Sequence, residues 1–294
     1  MHHIPEAIGF GLTTAAIIAL STVALSLQYS VTRTINFAHG ELMTVGAYAG
    51  YVVGKHGGGV IWQGLAAVGA GAALGWLLNR GLFRPFRKIG ATALIFLILT
   101  IAASQGIQAV LQLIFGATQV NYPAGPGAGS SHHVGPFVWT TTDIATMGIA
   151  ALVLIGLHLM IQRSWFGRAQ RAVADDVLLA RTTGIKAERV IDMTWILDGA
   201  IAGLAGLLLV LQVGSFDPTL GFTFLLVIFA AAVVGGIGRM YGAMIGALII
   251  GVVMEVGAIW VQPDYKQSVA FLILIVALFL RPQGIIPARG ELSS

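Results

Sequence analysis

The sequence predicts an all-α fold, a polytopic transmembrane helix bundle of eight or nine spans with its N-terminus outside and its C-terminus in the cytoplasm. Three observations predict it. Hydrophobic residues make up 57% of the 294 positions and charged residues only 10%, with a mean hydropathy of +0.88, which is far from the balance of a soluble domain. The apolar residues fall in successive runs close to the ~20 residues needed to cross a bilayer. The basic residues gather in alternate connections between those runs, as orientation in a membrane requires.

Taken in order, the runs lie at 7–29, 36–54, 59–79, 91–115, 143–162, 191–213, 222–238, 241–261 and 267–280, within a single membrane domain over 1–294. The first lacks a basic leader and a small-residue cleavage site, so it reads as a retained span. The second opens on polar residues and the ninth is short, so one or both are expected to be tilted, broken or re-entrant. If all nine cross with the N-terminus outside, every one of the 16 Lys and Arg residues except Lys55 and Lys266 falls inside. Arg33, the connection 80–88, the loop 163–190, Arg239, Arg281 and Arg289 then share one side. The outer loop 116–142, rich in Gly, Pro, Ser and Thr and free of Lys and Arg, agrees with that orientation.

Several chemistries are excluded or unsupported. There is no cysteine, hence no disulfide, thiolate or cysteine-metal site. The net charge of +4 is dispersed through short connections and gives no nucleic-acid stripe. His2-His3 and His132-His133 have no carboxylate or cysteine beside them to complete a metal site, so no metal is expected. No zinc-protease helix motif, nucleophile elbow or phosphate-binding loop is present, so no catalytic residue and no cofactor is assigned, and any use of ATP falls to another subunit.

The long hydrophilic segment 163–190 stands out in this background. Between Gly167 and Gly184, Ala169, Val173, Val177 and Ala180 recur at helical spacing, Arg168, Arg171, Asp175, Asp176 and Arg181 cover much of the remainder, and Gly184 supplies a stop. On its own this fits a helix that docks a cytoplasmic protein, or a solvated loop whose arginines set topology. Small residues four apart, Gly71 with Gly75, Gly199 with Gly203, and Gly238, Gly242 and Gly246, predict close helix approach, either at a subunit interface or within the chain.

Polar side chains inside apolar spans are costly and therefore informative. Asn36, His39 and Glu41 open the second span, where hydration at its end is the alternative to a role in transport. Gln105, Gln108 and Gln112 share a face of the fourth and suit interhelical hydrogen bonding. Asp198 in the sixth and Glu255 in the eighth lie deeper and require a polar partner, water or a proton.

The runs INFAHGELMTVGAY (35–48), FRPFRK (83–88), RAQRAVADDVLLARTTGIKAERVI (168–191), AAVVGGIGRMYGAMIGALIIGVVME (231–255) and RPQGI (281–285) resemble the LivH branch of the branched-chain amino acid ABC permeases, in order and nearly end to end. The resemblance implies a permease subunit in a bacterial cytoplasmic membrane. Its implied partners are a LivM-like permease, two cytoplasmic ATPase subunits and an extracytoplasmic solute-binding protein. It assigns ATPase coupling to the element holding Arg171, Ala174, Asp175, Asp176, Arg181 and Gly184, and a candidate substrate pathway to Asn36, His39, Glu41, Gln108 and Glu255. Asp198 and Arg239 depart from the family pattern. Urea or short amides are an alternative substrate class, and an ion-gradient transporter using Glu255 and Asp198 as relay carboxylates is an alternative mechanism.

Overall fold

The computed structural model describes residues 3–122, 130–134, 137–260, 266–280 and 284–285. Arg281, Arg289, His2 and the outer stretch 123–129 lie outside the described residues, as does most of the RPQGI run. Apolar sequence with no breaker yields helices throughout: α1 (His3–Thr32), α2 (His39–Lys55), α3 (Val60–Leu77), a π-helical turn (Leu78–Phe83) running into α4 (Arg84–Lys88), and α5 (Ala93–Phe115). After an outer segment follow α6 (Thr141–Arg163), α7 (Trp165–Asp175), α8 (Val177–Thr182), α9 (Ala187–Val213), α10 (Leu220–Gly235), α11 (Met240–Gly257) and α12 (Lys266–Leu280).

The ends of these helices follow local chemistry. Thr140 and Asp143 form a reciprocal capping box at the start of α6, Thr140 Oγ1 accepting from the Asp143 amide at 3.1 Å and Asp143 Oδ2 accepting from the Thr140 amide at 2.9 Å. Gly214 closes α9 with a left-handed φ of 78°. Among the described residues six helices are long and apolar enough to cross a membrane, beginning at Glu6, Val60, Ala93, Thr141, Ala187 and Met240, and the shorter α10 and α12 are apolar as well. At ~1.5 Å per residue, the 17 residues of α2 reach somewhat less than a ~30 Å hydrocarbon core.

α1 and α9 form the centre of the bundle. α1 packs on α11, α9, α6 and α10, while α9 packs on α3 and α2. Their burial contrasts with α3, α5 and α6, which turn large apolar side chains such as Ile61, Leu65, Leu94, Ile98, Leu113 and Leu152 outward. A chain that exposes whole rows of such residues is built for an apolar surround.

The small-residue repeats are used inside this chain. Gly71 of α3 meets the backbone of Gly199 in α9, Gly46 of α2 meets Gly203, Gly242 and Gly246 of α11 meet α10, and Gly251 meets Ala15 of α1. A Cβ at Gly71 or Gly199 would run into the facing carbonyl, so the crossing of α3 and α9 requires glycine there. Of the two uses open to these repeats, packing within the subunit is the one observed.

Three expectations are corrected. The connection 80–88, including FRPFRK, is helical, with 60–88 continuous through the π turn; Pro85 sits in the first turn of α4, where its missing amide hydrogen is tolerated. Segment 167–184 is two helices, because Asp176 adopts an extended backbone (φ −153°, ψ 113°) and its carboxylate accepts from the amides of Leu178 and Leu179 at 2.7 and 3.0 Å, capping α8. The outer segment, expected as a loop, contains short strands: β1 (Val120–Asn121) pairs antiparallel with β4 (Ser215–Phe216), and β2 (Ser131–Val134) with β3 (Phe137–Thr140). The β-branched and aromatic residues of β3 and β4 favour that pairing.

Candidate functional site

Three side chains of α1, Thr14, Ser21 and Gln28, recur every seven residues and so lie nearly on one face, two turns apart. Each meets a polar residue from another part of the chain. Thr14 Oγ1 donates to Glu255 Oε1 of α11 at 3.1 Å, Ser21 Oγ lies 2.8 Å from His39 Nε2 of α2, and Asn36 Nδ2 donates to Gln28 Oε1 at 3.2 Å. α1 therefore carries a polar spine through the bundle. Ser, Thr and Gln are common enough in membrane helices that the seven-residue interval was the only signal of it in the sequence.

The centre of the spine is the densest. His39 Nδ1 lies 3.1 Å from Asp198 Oδ1 of α9, and neither side chain has any exposed surface. This unites a residue of the NFAHGE run with Asp198, which the resemblance left without a role. Asp198 thus has the polar partner that its depth demanded. The order Ser21, His39, Asp198 matches a hydrolytic triad in contacts alone. All three are buried inside the bundle, and Ser21 Oγ donates to Met43 Sδ at 3.2 Å rather than being held free as a nucleophile.

Glu41, two residues on, is also fully buried, its Oε1 accepting from Ser104 Oγ of α5 at 3.0 Å while Oε2 has no hydrogen-bond partner among the described residues. Asn36 is buried as well; its Oδ1 accepts from the Ala38 amide at 3.0 Å, which shapes the turn that delivers His39. These three residues are therefore buried within the chain rather than exposed at the end of α2.

The remaining pathway candidates are apart from this centre. Gln108 stands one turn beyond Ser104 on α5, half-buried, with Gln105 exposed beside it. Glu255 lies at the far end of the spine, where Lys266 Nζ donates to its Oε2 at 2.7 Å. Past that level, the end of the bundle formed by α2, α3 and α5 is filled with aromatic rings. Tyr48 stacks on Phe115 at 4.3 Å between centroids, Phe216 of β4 lies against Tyr48, and Tyr122 donates to Gln63 Oε1 at 2.7 Å. Burial pushes the Tyr122 phenol up to about 12, so it remains a donor at neutral pH.

At the opposite end, α7 and α8 lie against the bundle. Ala169, Val173 and Ala180 are buried, and Gln170 Nε2 donates to Leu27 O at 3.5 Å, so the small-residue face is turned inward onto α1 and α9. Outward stand Arg171, Asp175, Asp176 and Arg181, together with Leu178 and Leu179, which are 72% and 64% exposed. Ala174 is half-buried, and Gly184, with a φ of 84°, ends the segment in open space. Sequence periodicity had passed over the two leucines.

A charged junction anchors this end, also unanticipated. Glu188, in the first turn of α9, takes Arg84 and Arg87 of α4 at 3.3 and 3.8 Å and Arg181 of α8 at 3.4 Å. Buried Asn79 in the π turn donates to Asp192 Oδ1 at 2.6 Å and accepts from Arg87 at 2.8 Å. Among the described residues no group of three His, Cys, Asp or Glu is placed to hold a metal ion.

Fold and site together define a multi-pass membrane protein with a buried polar interior and a polar helix pair at one end. Residues 7–278 match the family described as branched-chain amino acid transport system / permease component, and the chain belongs to that family. It is 34% identical to the high-affinity branched-chain amino acid transport system permease protein LivH of Salmonella typhimurium, covering 94% of this chain and 93% of the relative. It is 33% identical to the corresponding permease protein BraD of Pseudomonas aeruginosa, with 97% and 96% covered. A weaker likeness, 28% over 70% of this chain and 62% of the relative, links it to the ribose import permease protein RbsC of Bacillus subtilis. No solved structure matches.

Proposed function

We propose that this chain is the membrane-spanning permease subunit of an ATP-driven importer of branched-chain or closely related amino acids. Its likeness over 94% of its length to a permease named for that transport carries the reading. The subunit pairs with a LivM-like permease, rests on two cytoplasmic ATPases that bind the ATP, and receives solute from an extracytoplasmic binding protein, in a bacterial cytoplasmic membrane. Nine segments cross, with the N-terminus outside, which puts α7, α8 and the Arg84, Arg87, Glu188 junction in the cytoplasm, in keeping with their basic residues.

α7 and α8 are the ATPase docking element. Leu178 and Leu179 supply an apolar contact in a charged rim of Arg171, Asp175, Asp176 and Arg181, an arrangement common to protein interfaces. Movement there shifts the bundle between two packings and so alternates access to the polar centre. Asn36, His39 and Glu41 border the pathway, and Glu41 Oε2, which has no hydrogen-bond partner among the described residues, is suited to meet the substrate ammonium once the interior opens. Gln108 and Glu255 lie along the same route at other depths.

The test is reconstitution with the partner subunits in liposomes. ATP-dependent leucine uptake that isoleucine and valine compete for, and urea does not, is the expected result. Replacing Asp175 or Gly184 with Ala should leave the complex assembled and lower leucine moved per ATP hydrolysed. Uptake driven by a proton gradient without ATPases would overturn the reading.

A further inference from the structure

Arg33 directly follows α1 and is the one non-glycine residue with positive φ among the described residues, at 53°. Its amide donates to Tyr29 O at 2.8 Å, the closure that a left-handed residue gives to a helix end. Glycine is favoured in that conformation because a Cβ strains it, and the comparable turns after α9 and α8 use Gly214 and Gly184. Capping alone is better served by glycine, so an arginine held there points to a use for its side chain.

That side chain reaches α7. One terminal guanidinium nitrogen donates to Ala174 O at 2.8 Å, a carbonyl in the last turn of α7, where unpaired acceptors and the helix dipole both favour a cation. On its other side Arg33 leads into the turn in which Asn36 bonds back to Gln28 and forward to Ala38, immediately before His39. The guanidinium is exposed, so water can replace its carbonyl partner at little net cost, which suits a contact that must form and break.

We infer that Arg33 is a positioning residue that ties α7 to the turn that bears Asn36 and leads into His39 and Glu41 of α2, so that displacement of α7 is passed to the buried polar centre through this guanidinium. The inference rests on the coupling role proposed above for α7 and α8. Arg33→Gly separates it from plain capping, because glycine relieves the backbone and removes only the side chain.

In the full complex in liposomes, R33G should keep its ATPase subunits and a thermal midpoint equal to or above that of the unaltered chain. Leucine moved per ATP should fall about 10-fold or more, and R33K, which retains a cation, should recover most of that loss. An unchanged transport ratio in R33G, or loss of the ATPase subunits from it, would overturn the inference by making Arg33 a cap or a docking residue. If the unaltered chain itself recovers no ATPase, the coupling reading fails and this inference falls with it.

Discussion

The buried Asp198 carboxyl has the His39 imidazole as its polar neighbour, 3.1 Å away, and neither side chain has any exposed surface. Removing one partner from a buried pair leaves an uncompensated group and costs about 3 kcal/mol or more. Asp198→Ala is therefore expected to lower stability by that amount in denaturant unfolding of detergent-solubilised protein. Replacing both Asp198 and His39 with apolar residues of similar volume should cost less than the sum of the single changes, as a double-mutant cycle would show. Equal, additive effects would mean the two groups do not interact. At this scale the sequence already displayed Asn36, His39, Glu41, Asp198 and Glu255, because each interrupts apolar sequence at a price few spans tolerate. Their pairing was not legible. It depends on which helices adjoin, and Ser21, which receives His39, is indistinguishable in sequence from the many hydroxyls that bond to their own helix, as Thr44 Oγ1 does to Gly40 O.

Between elements, the crossing of α3 and α9 gives a sharper contrast. Gly71 and Gly69 lie two residues apart on α3, one against the backbone of Gly199 and the other with open space where a Cβ would project. Gly71→Ala must push the helices apart, with an overpacking cost of about 1–3 kcal/mol. Gly69→Ala should be neutral or stabilising by about 0.5–1 kcal/mol through helix propensity. Thermal unfolding of the two variants compares the same chemical change on one helix, and equal shifts would refute the close crossing. The four-residue glycine spacing announced such contacts, whereas their intramolecular use needed the fold. The break between α7 and α8 was hidden because the apolar period of Ala169, Val173, Val177 and Ala180 runs through it; only the carboxylate of Asp176, bonded to the amides of Leu178 and Leu179, reveals a second helix start. Asp176→Ala is expected to cost about 1 kcal/mol of local stability, read as faster hydrogen exchange confined to α8.

For the whole molecule, composition was sufficient to establish a membrane bundle, and the apolar runs coincide with helices α1, α2, α3, α5, α6, α9, α10, α11 and α12. What the sequence could not convey is the unequal burial of those helices: α1 and α9 are enclosed, while α3, α5 and α6 present apolar rows outward. Lipid and a companion subunit are chemically alike to such a surface, so hydropathy alone does not divide one from the other. The same holds at the polar end, where α7 and α8 cover the bundle with their small face and leave Leu178 and Leu179 projecting. Both features are compatible with the proposed role of the chain as one part of a larger machine, and that role is the central claim. Its most direct test is to tag the C-terminus, purify the protein in mild detergent from its native membrane, and identify what accompanies it. A second permease and ATPase subunits, with the ATPases alone lost when Leu178 and Leu179 are replaced by Asp, are the expected result. Recovery of this chain alone or as a homo-oligomer, under conditions that keep a control importer intact, would contradict it.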